Sequence, residues 1–154
     1  MSINRYQKYF EEELHEASTI KLVVILYREA LDAIASARRY VRLGEIRPRT
    51  REINKAIGIL AELTRSLDRE RGGELSQNLA RLYAYCRTLL IRANFEQREE
   101  PLEEADRLLS TLLEGWTAGL PPERATPAQA ADPGASRRDY QCVSAYQSAV
   151  GLEC

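Results

Sequence analysis

The sequence predicts an all-α protein: an antiparallel up-down four-helix bundle with a short N-terminal amphipathic segment before it and a flexible C-terminal tail after it. Three observations lead there. Four segments repeat apolar residues at intervals of three and four, the period of a single helix face. Short breaker-containing stretches separate them, and short connections between long helices force antiparallel neighbours. The composition is 44% hydrophobic and 29% charged over 154 residues, with few Gly or Pro, as in one modest helix-rich domain. A chain of this length buries roughly 70% of its unfolded surface, enough for a core without metal or disulfide support.

The first segment carries Ile20, Val23, Tyr27, Ala30, Ile34, Ala37 and Val41. Gly44 and Pro48 separate it from the second, which carries Ile53, Ala56, Leu60, Leu63 and Leu67. A corner follows, with Ser66-Leu67-Asp68 and then Gly72-Gly73-Glu74, where paired glycines end a helix without Cβ strain and the apolar spacing restarts at once. The third segment is Leu75, Leu79, Leu82, Cys86, Leu89 and Ala93. The polar run Gln97 to Glu100 and Pro101 lead into the fourth, Leu102, Ala105, Leu109, Leu112 and Trp116. Pro48 and Pro101 fit the first helical position, where the missing N–H has no intrahelical partner. The bundle is expected over residues 1–120 and a Pro/Ala-rich linker and tail over 121–154.

Two features depart from a minimal bundle. Leu22, Val24, Ile25, Leu26 and Leu31 add a second apolar face to the first helix. A helix apolar nearly all round is buried on both sides or offers one side to a partner. The chain's own termini and another protein are equal candidates for that cover. At the N-terminus, Ile3, Tyr6, Tyr9, Phe10 and Leu14 have the spacing of a short amphipathic helix whose docking would be marginal and displaceable. Beyond Leu120, four prolines at 121, 122, 127 and 133 read as linker, after which Tyr140, Val143, Tyr146 and Val150 return at helical spacing.

Several function classes are disfavoured. No phosphate loop, Cys-x-x-Cys, His-Glu-x-x-His or Gly-x-Ser-x-Gly motif is present. His15 is the one histidine, too few for a di-iron bundle, which needs Glu-x-x-His on two helices. Cys86 falls on the third apolar stripe and reads as a small buried hydrophobe. No enzyme activity, cofactor or metal is expected. A net charge of −1 argues against a nucleic-acid surface, and the longest apolar run, Leu22 to Tyr27, is far short of the about 20 residues of a bilayer span. Glu11, Glu12 and Glu13 stand where a signal peptide would be apolar, and three scattered cysteines suit a reducing cytoplasm, so a cytosolic location is expected. Arg47, Arg49, Arg51 and Lys55 form a basic cluster at a helix start, where the dipole disfavours them; this reads as a solvated stretch or a mark of an acidic partner.

Tyr6-Gln7, Leu22-Val23-Val24, Leu26-Tyr27, Ala30 and Gly44-Glu45-Ile46 occur in order. Lys55-Ala56, Ile59, Glu62-Leu63, Ser66-Leu67-Asp68, Gly72-Gly73-Glu74, Asn78-Leu79, Leu82-Tyr83-Ala84-Tyr85, Ala93-Asn94 and Trp116 follow. Over residues 4 to 116 this pattern resembles the flagellar secretion chaperone FliS family. The resemblance implies a non-enzymatic helical bundle that binds the C-terminal disordered segment of flagellin in the cytoplasm, prevents premature polymerisation, and aids delivery to the export gate protein FlhA. It implies a flagellin-binding surface of Leu22, Ile25, Leu26, Asn78, Leu82, Tyr83, Tyr85 and Asn94, with intrabundle hydrogen bonding as the other role open to the two amides. It also places Tyr6, Gln7 and Tyr9 in an N-terminal segment that covers apolar surface when flagellin is absent and contributes at the gate. A monomer or weak homodimer, without nucleic acid or membrane insertion, is expected. The alternative is a bundle scaffold or regulator binding some other amphipathic helix. The chain departs from the pattern in a longer stretch from Tyr6 to Ala17, in Thr19-Ile20 where the family often has proline, and in its long tail.

Overall fold

The computed structural model describes residues 3–68 and 70–118. Four helices follow in order: α1 (Ile3–Leu43), α2 (Ile46–Arg65), α3 (Gly73–Glu96) and α4 (Glu100–Ala118). Among the described residues there is no strand. The expected tail over 121–154, and the boundary at residue 120, lie outside the described residues.

α1 and α2 join through a two-residue turn, the shortest connection among the described residues. Gly44 takes φ +71°, the left-handed conformation that costs glycine nothing, and the Gly44 and Glu45 N–H groups bond back to the Val41 and Tyr40 carbonyls at 3.2 and 3.0 Å. This is the two-bond Schellman closure of a helix C-terminus. α2 begins at Ile46, two residues before Pro48, which still falls in the first turn where its lack of an N–H is harmless. α4 likewise begins at Glu100, one residue before Pro101.

The corner between α2 and α3 differs from the sequence reading. Gly72-Gly73 opens α3 and does not close α2, which ends at Arg65 with Ser66 as its C-cap. Only Gly73 needs the left-handed region, at φ +52°. Asp68 shapes the turn: its Oδ1 accepts the Glu70 and Arg71 N–H groups at 3.0 and 3.1 Å, and its carbonyl accepts Gly72 N–H at 3.0 Å.

Each helix packs on its chain neighbours, and α4 closes the ring against α1, so α1 and α3 face each other diagonally across the core. Arg49 near the start of α2 reaches Asn94 near the end of α3, and Arg38 late in α1 reaches Glu103 early in α4, which makes these pairs antiparallel. At the centre Tyr27 of α1 and Tyr83 of α3 share a hydroxyl–hydroxyl hydrogen bond of 2.6 Å, with ring centroids 6.2 Å apart in an edge-on arrangement. Trp116 of α4 lies 6.4 Å from Tyr27 by centroids. Three helices therefore meet on one aromatic cluster, with Ile34, Leu60, Leu63, Leu89, Leu90 and Leu109 filling the space around it.

α1 is twice as long as the helices it packs against, and Ile20 is the first buried side chain among those described. The expected N-terminal amphipathic segment is the start of this same helix, with no break before Leu43. Nothing between Ile3 and Leu43 is glycine or proline, so no residue there interrupts the backbone ladder.

Candidate functional site

Among the described residues no cluster of His, Cys, Asp or Glu could hold a metal. No helix of the described residues is long and apolar enough to cross a membrane. Cys86 is wholly buried, and loss of solvation pushes its thiol up to about 11, far from a nucleophile's range.

The second apolar face of α1 is largely absorbed by the bundle. Val24 is buried, and Leu26 and Leu31 are partly buried against the core, because α1 touches both α2 and α4 and so hides a wider arc than one stripe. Leu22 and Ile25 alone remain outward, 55% and 49% exposed. They share a stripe with the exposed Glu29 and Asp32, at positions i, i+3, i+7 and i+10.

On α3 the expected surface divides into three parts. Asn78 and Tyr85 are exposed and Leu82 is half-buried; their spacing of four and three places them on one flank. That flank faces α4, because the Tyr85 hydroxyl donates to the Glu104 carboxylate, a bond that raises the Tyr85 pKa. Tyr83 does not belong to the surface: its ring is wholly buried and its hydroxyl is engaged with Tyr27. The consecutive pair Tyr83 and Tyr85 thus splits between core and solvent.

Asn94 faces the other way, toward α2. Its Oδ1 accepts Arg49 Nε and Thr50 Oγ1, both at 3.1 Å, and its carbonyl accepts Arg49 Nη2 at 3.3 Å. The amide therefore bonds within the bundle. Arg49 in turn is only 3% exposed. Its charge, misplaced at the positive end of α2, is held against the carbonyl end of α3, where a cation is favoured. The basic cluster separates accordingly, with Arg49 tying α2 to α3 and Arg47, Arg51 and Lys55 left in solvent.

Tyr6, Gln7 and Tyr9 lie in the same helix as Leu22 and Ile25. Gln7 is exposed.

A second group of outward apolar residues escaped the sequence reading. Phe95 is 88% exposed, and Ile91, one turn before it, is also open to solvent. Both fall off the core stripe of α3, and that mismatch was the available signal. Leu43 and Ile46 are exposed at the α1–α2 turn, at the same end of the bundle. Nearer the start of α3, Gln77, Ala80, Arg81 and Ala84 line a shallow hollow.

A charged lattice rigidifies the end where α1 meets α4. Arg38 Nε and Nη2 reach Glu99 Oε1 and Glu103 Oε1, each at 3.0 Å, and Arg42 also binds Glu99. Arg42 first, then Arg38, holds the Glu99 carboxyl below the usual carboxylate range.

The family model described as Flagellar protein FliS matches residues 2–122. The chain is 35% identical over 116 residues to the flagellar secretion chaperone FliSB of Pseudomonas aeruginosa, covering 75% of this chain and 92% of that one. It is 34% identical over 107 residues to the flagellar secretion chaperone FliS of Salmonella typhimurium, covering 69% and 79%. To the FliS of Campylobacter jejuni it is 32% identical over 111 residues, covering 72% and 87%. The four-helix ring, the Tyr27–Tyr83–Trp116 core and the α2–α3 corner all fall inside the residues that the family model matches, and the chain belongs to the FliS family of flagellar secretion chaperones.

Proposed function

We propose that this chain is a cytosolic export chaperone that acts by binding, not catalysis: it holds the C-terminal disordered segment of flagellin, prevents its premature polymerisation, and aids its delivery to the export gate protein FlhA. The observation that carries the reading is the half-exposed pair Leu22 and Ile25 on α1, beside Val24, Leu26 and Leu31, which pack against the core. Exposed apolar side chains of this size on a chaperone-family bundle fit an amphipathic partner better than solvent.

The placement of the outward residues also restricts the partner's form. Leu22 and Ile25 lie on α1, whereas Asn78, Leu82 and Tyr85 lie on the diagonally opposite α3, so one straight helix cannot touch both sets. An extended segment that orders on binding and wraps the bundle can do so, at an ordering cost of about 2–5 kcal/mol of the gross interaction energy.

Titration calorimetry with a peptide of the cognate flagellin C-terminus tests this. One-to-one binding is expected, with a heat-capacity change on the order of −0.2 to −0.5 kcal/mol/K for burial of a segment this size. No heat and no gain in peptide helicity would refute the reading.

A further inference from the structure

One outward face of α3 takes no part in the surface assigned to flagellin. Gln77, Ala80, Ala84, Thr88, Ile91 and Phe95 follow one another at steps of three and four, fall within an arc of about 80°, and run about 27 Å along the helix. Phe95 is the most exposed large apolar side chain among the described residues, and Ile91 is more than half exposed. Toward the start of the helix the face becomes the hollow of Gln77, Ala80, Arg81 and Ala84. Asn78, Leu82 and Tyr85 lie outside this arc, on the flank toward α4. We propose that the face is a docking site, separate from the flagellin surface, for an amphipathic helix of a second protein, one whose apolar stripe is flanked by carboxylates.

The charges around the face select that partner. Arg87 borders the arc on the α2 side, about 20° from Ala80, and Arg81 borders it on the other, about 20° from Thr88. The Arg49–Asn94 bond sets the antiparallel register of α2 beside α3, so Arg47 and Arg51 come alongside the Ile91 to Phe95 end. All four arginines are exposed, and none bonds to a carboxylate among the described residues. The carboxylates of the two helices compete little for them. Glu62 is paired with Arg65 at 2.6 Å and Glu96 with Arg92 at 3.3 Å. Glu52 lies about 160° round α2 from Thr50, which faces α3, and Glu74 lies about 40° outside the arc, almost a turn before it begins. Unpaired cations on both sides of an apolar stripe favour a ligand with carboxylates at its flanks and repel one with lysines there.

The shape suits a helix. The stripe runs for about five turns, the length of a helix of about 18 residues. By the same register Gly58 and Ala61 of α2 lie beside the hollow, and a Cβ added at Gly58 would meet nothing. A second helix can therefore approach closely at Ala80 and Ala84, while its larger apolar side chains cover Ile91 and Phe95 at the other end. Thr88 donates its hydroxyl to the Ala84 carbonyl at 3.1 Å and needs no partner from the ligand.

Titration of the full chain with two synthetic helices tests the proposal. One is a labelled peptide of about 18 residues with alanine and leucine at steps of three and four and glutamate on both flanks; its twin carries lysine at those flanks. By fluorescence anisotropy at low salt, the glutamate peptide should bind about tenfold or more tighter than its twin, and the preference should shrink as salt rises. Arg81→Glu/Arg87→Glu should remove or reverse the preference, and Ala84→Trp, which fills the hollow, should weaken the glutamate peptide about tenfold or more. All three positions are exposed, and thermal melts check that the variants fold. Leu22→Ser/Ile25→Ser should leave the affinity within about twofold, and saturating flagellin C-terminal peptide should leave the probe bound. No binding, equal binding of the twins, or binding untouched by the α3 variants overturns the proposal. So does displacement by the flagellin peptide, which would make the face part of the flagellin surface. Self-association of the chain that the α3 variants abolish also overturns it, because the occupant is then a second copy. Failure of the flagellin peptide to bind, with the probe results as expected, refutes the chaperone reading and leaves this docking site standing.

Discussion

Replacing Leu22 and Ile25 by serine separates binding from folding. Full burial of a leucine or isoleucine side chain contributes about 1.5–3 kcal/mol. These two are already about half buried in the bundle, at 55% and 49% exposure, so roughly half of that remains for a partner to gain. If the flagellin segment covers both, the double variant loses about 1.5–3 kcal/mol, or roughly 10- to 150-fold in affinity. The bundle itself should lose little, since neither side chain fills the core. Calorimetric titration with the flagellin peptide, beside urea unfolding of each variant, reads the two quantities separately. An affinity within twofold of the unaltered chain would refute the assignment of this stripe to the binding surface. A large loss of stability would refute the claim that the two side chains lie outside the core.

Three further outcomes follow from the interior and the seams. Tyr27→Phe or Tyr83→Phe should each cost about 1–2 kcal/mol in urea unfolding, and the double variant less than their sum, with a coupling of about 0.5–1.5 kcal/mol; strict additivity would mean the 2.6 Å contact contributes nothing. Asn94→Ala removes the acceptor shared by Arg49 and Thr50 and should destabilise the fold by roughly 2–3 kcal/mol; unchanged stability with weakened flagellin binding would return Asn94 to the surface. Because the Glu99 carboxyl titrates below its unfolded value, its stabilisation is present above the ordinary carboxylate range and is lost as pH falls through the lower folded value. Glu99→Gln should therefore lower the melting temperature near pH 7 and flatten its decline between about pH 5 and 3; parallel melting curves for the two proteins would contradict this.

Much of the fold was legible along the chain. The stripes of α2 and α4 required only local spacing, and Gly44 marked its turn because a residue in the left-handed region is best a glycine. The continuity of α1 was also legible, in the absence of any glycine or proline from Ile3 to Leu43, although the return of apolar residues near Ile20 suggested a separate segment. The candidate site was read less well. Its α1 portion reduced from a broad face to Leu22 and Ile25, Tyr83 moved to the core, Asn94 was engaged by Arg49, and Phe95 and Ile91 came into view on α3.

Periodicity identifies which residues can share a face, because it depends only on the 100° step of the helix, and the matching corner and core residues were enough to indicate the family. Which face meets solvent depends on how many helices surround it. α1 has neighbours on two sides and α3 across the core, so Val24, Leu26 and Leu31 were absorbed while Leu22 and Ile25 were not. Tyr27 and Tyr83 are 56 residues apart in the chain, and no local pattern ties them; only closure of the ring sets one hydroxyl against the other and thereby leaves Tyr85, not Tyr83, at the surface.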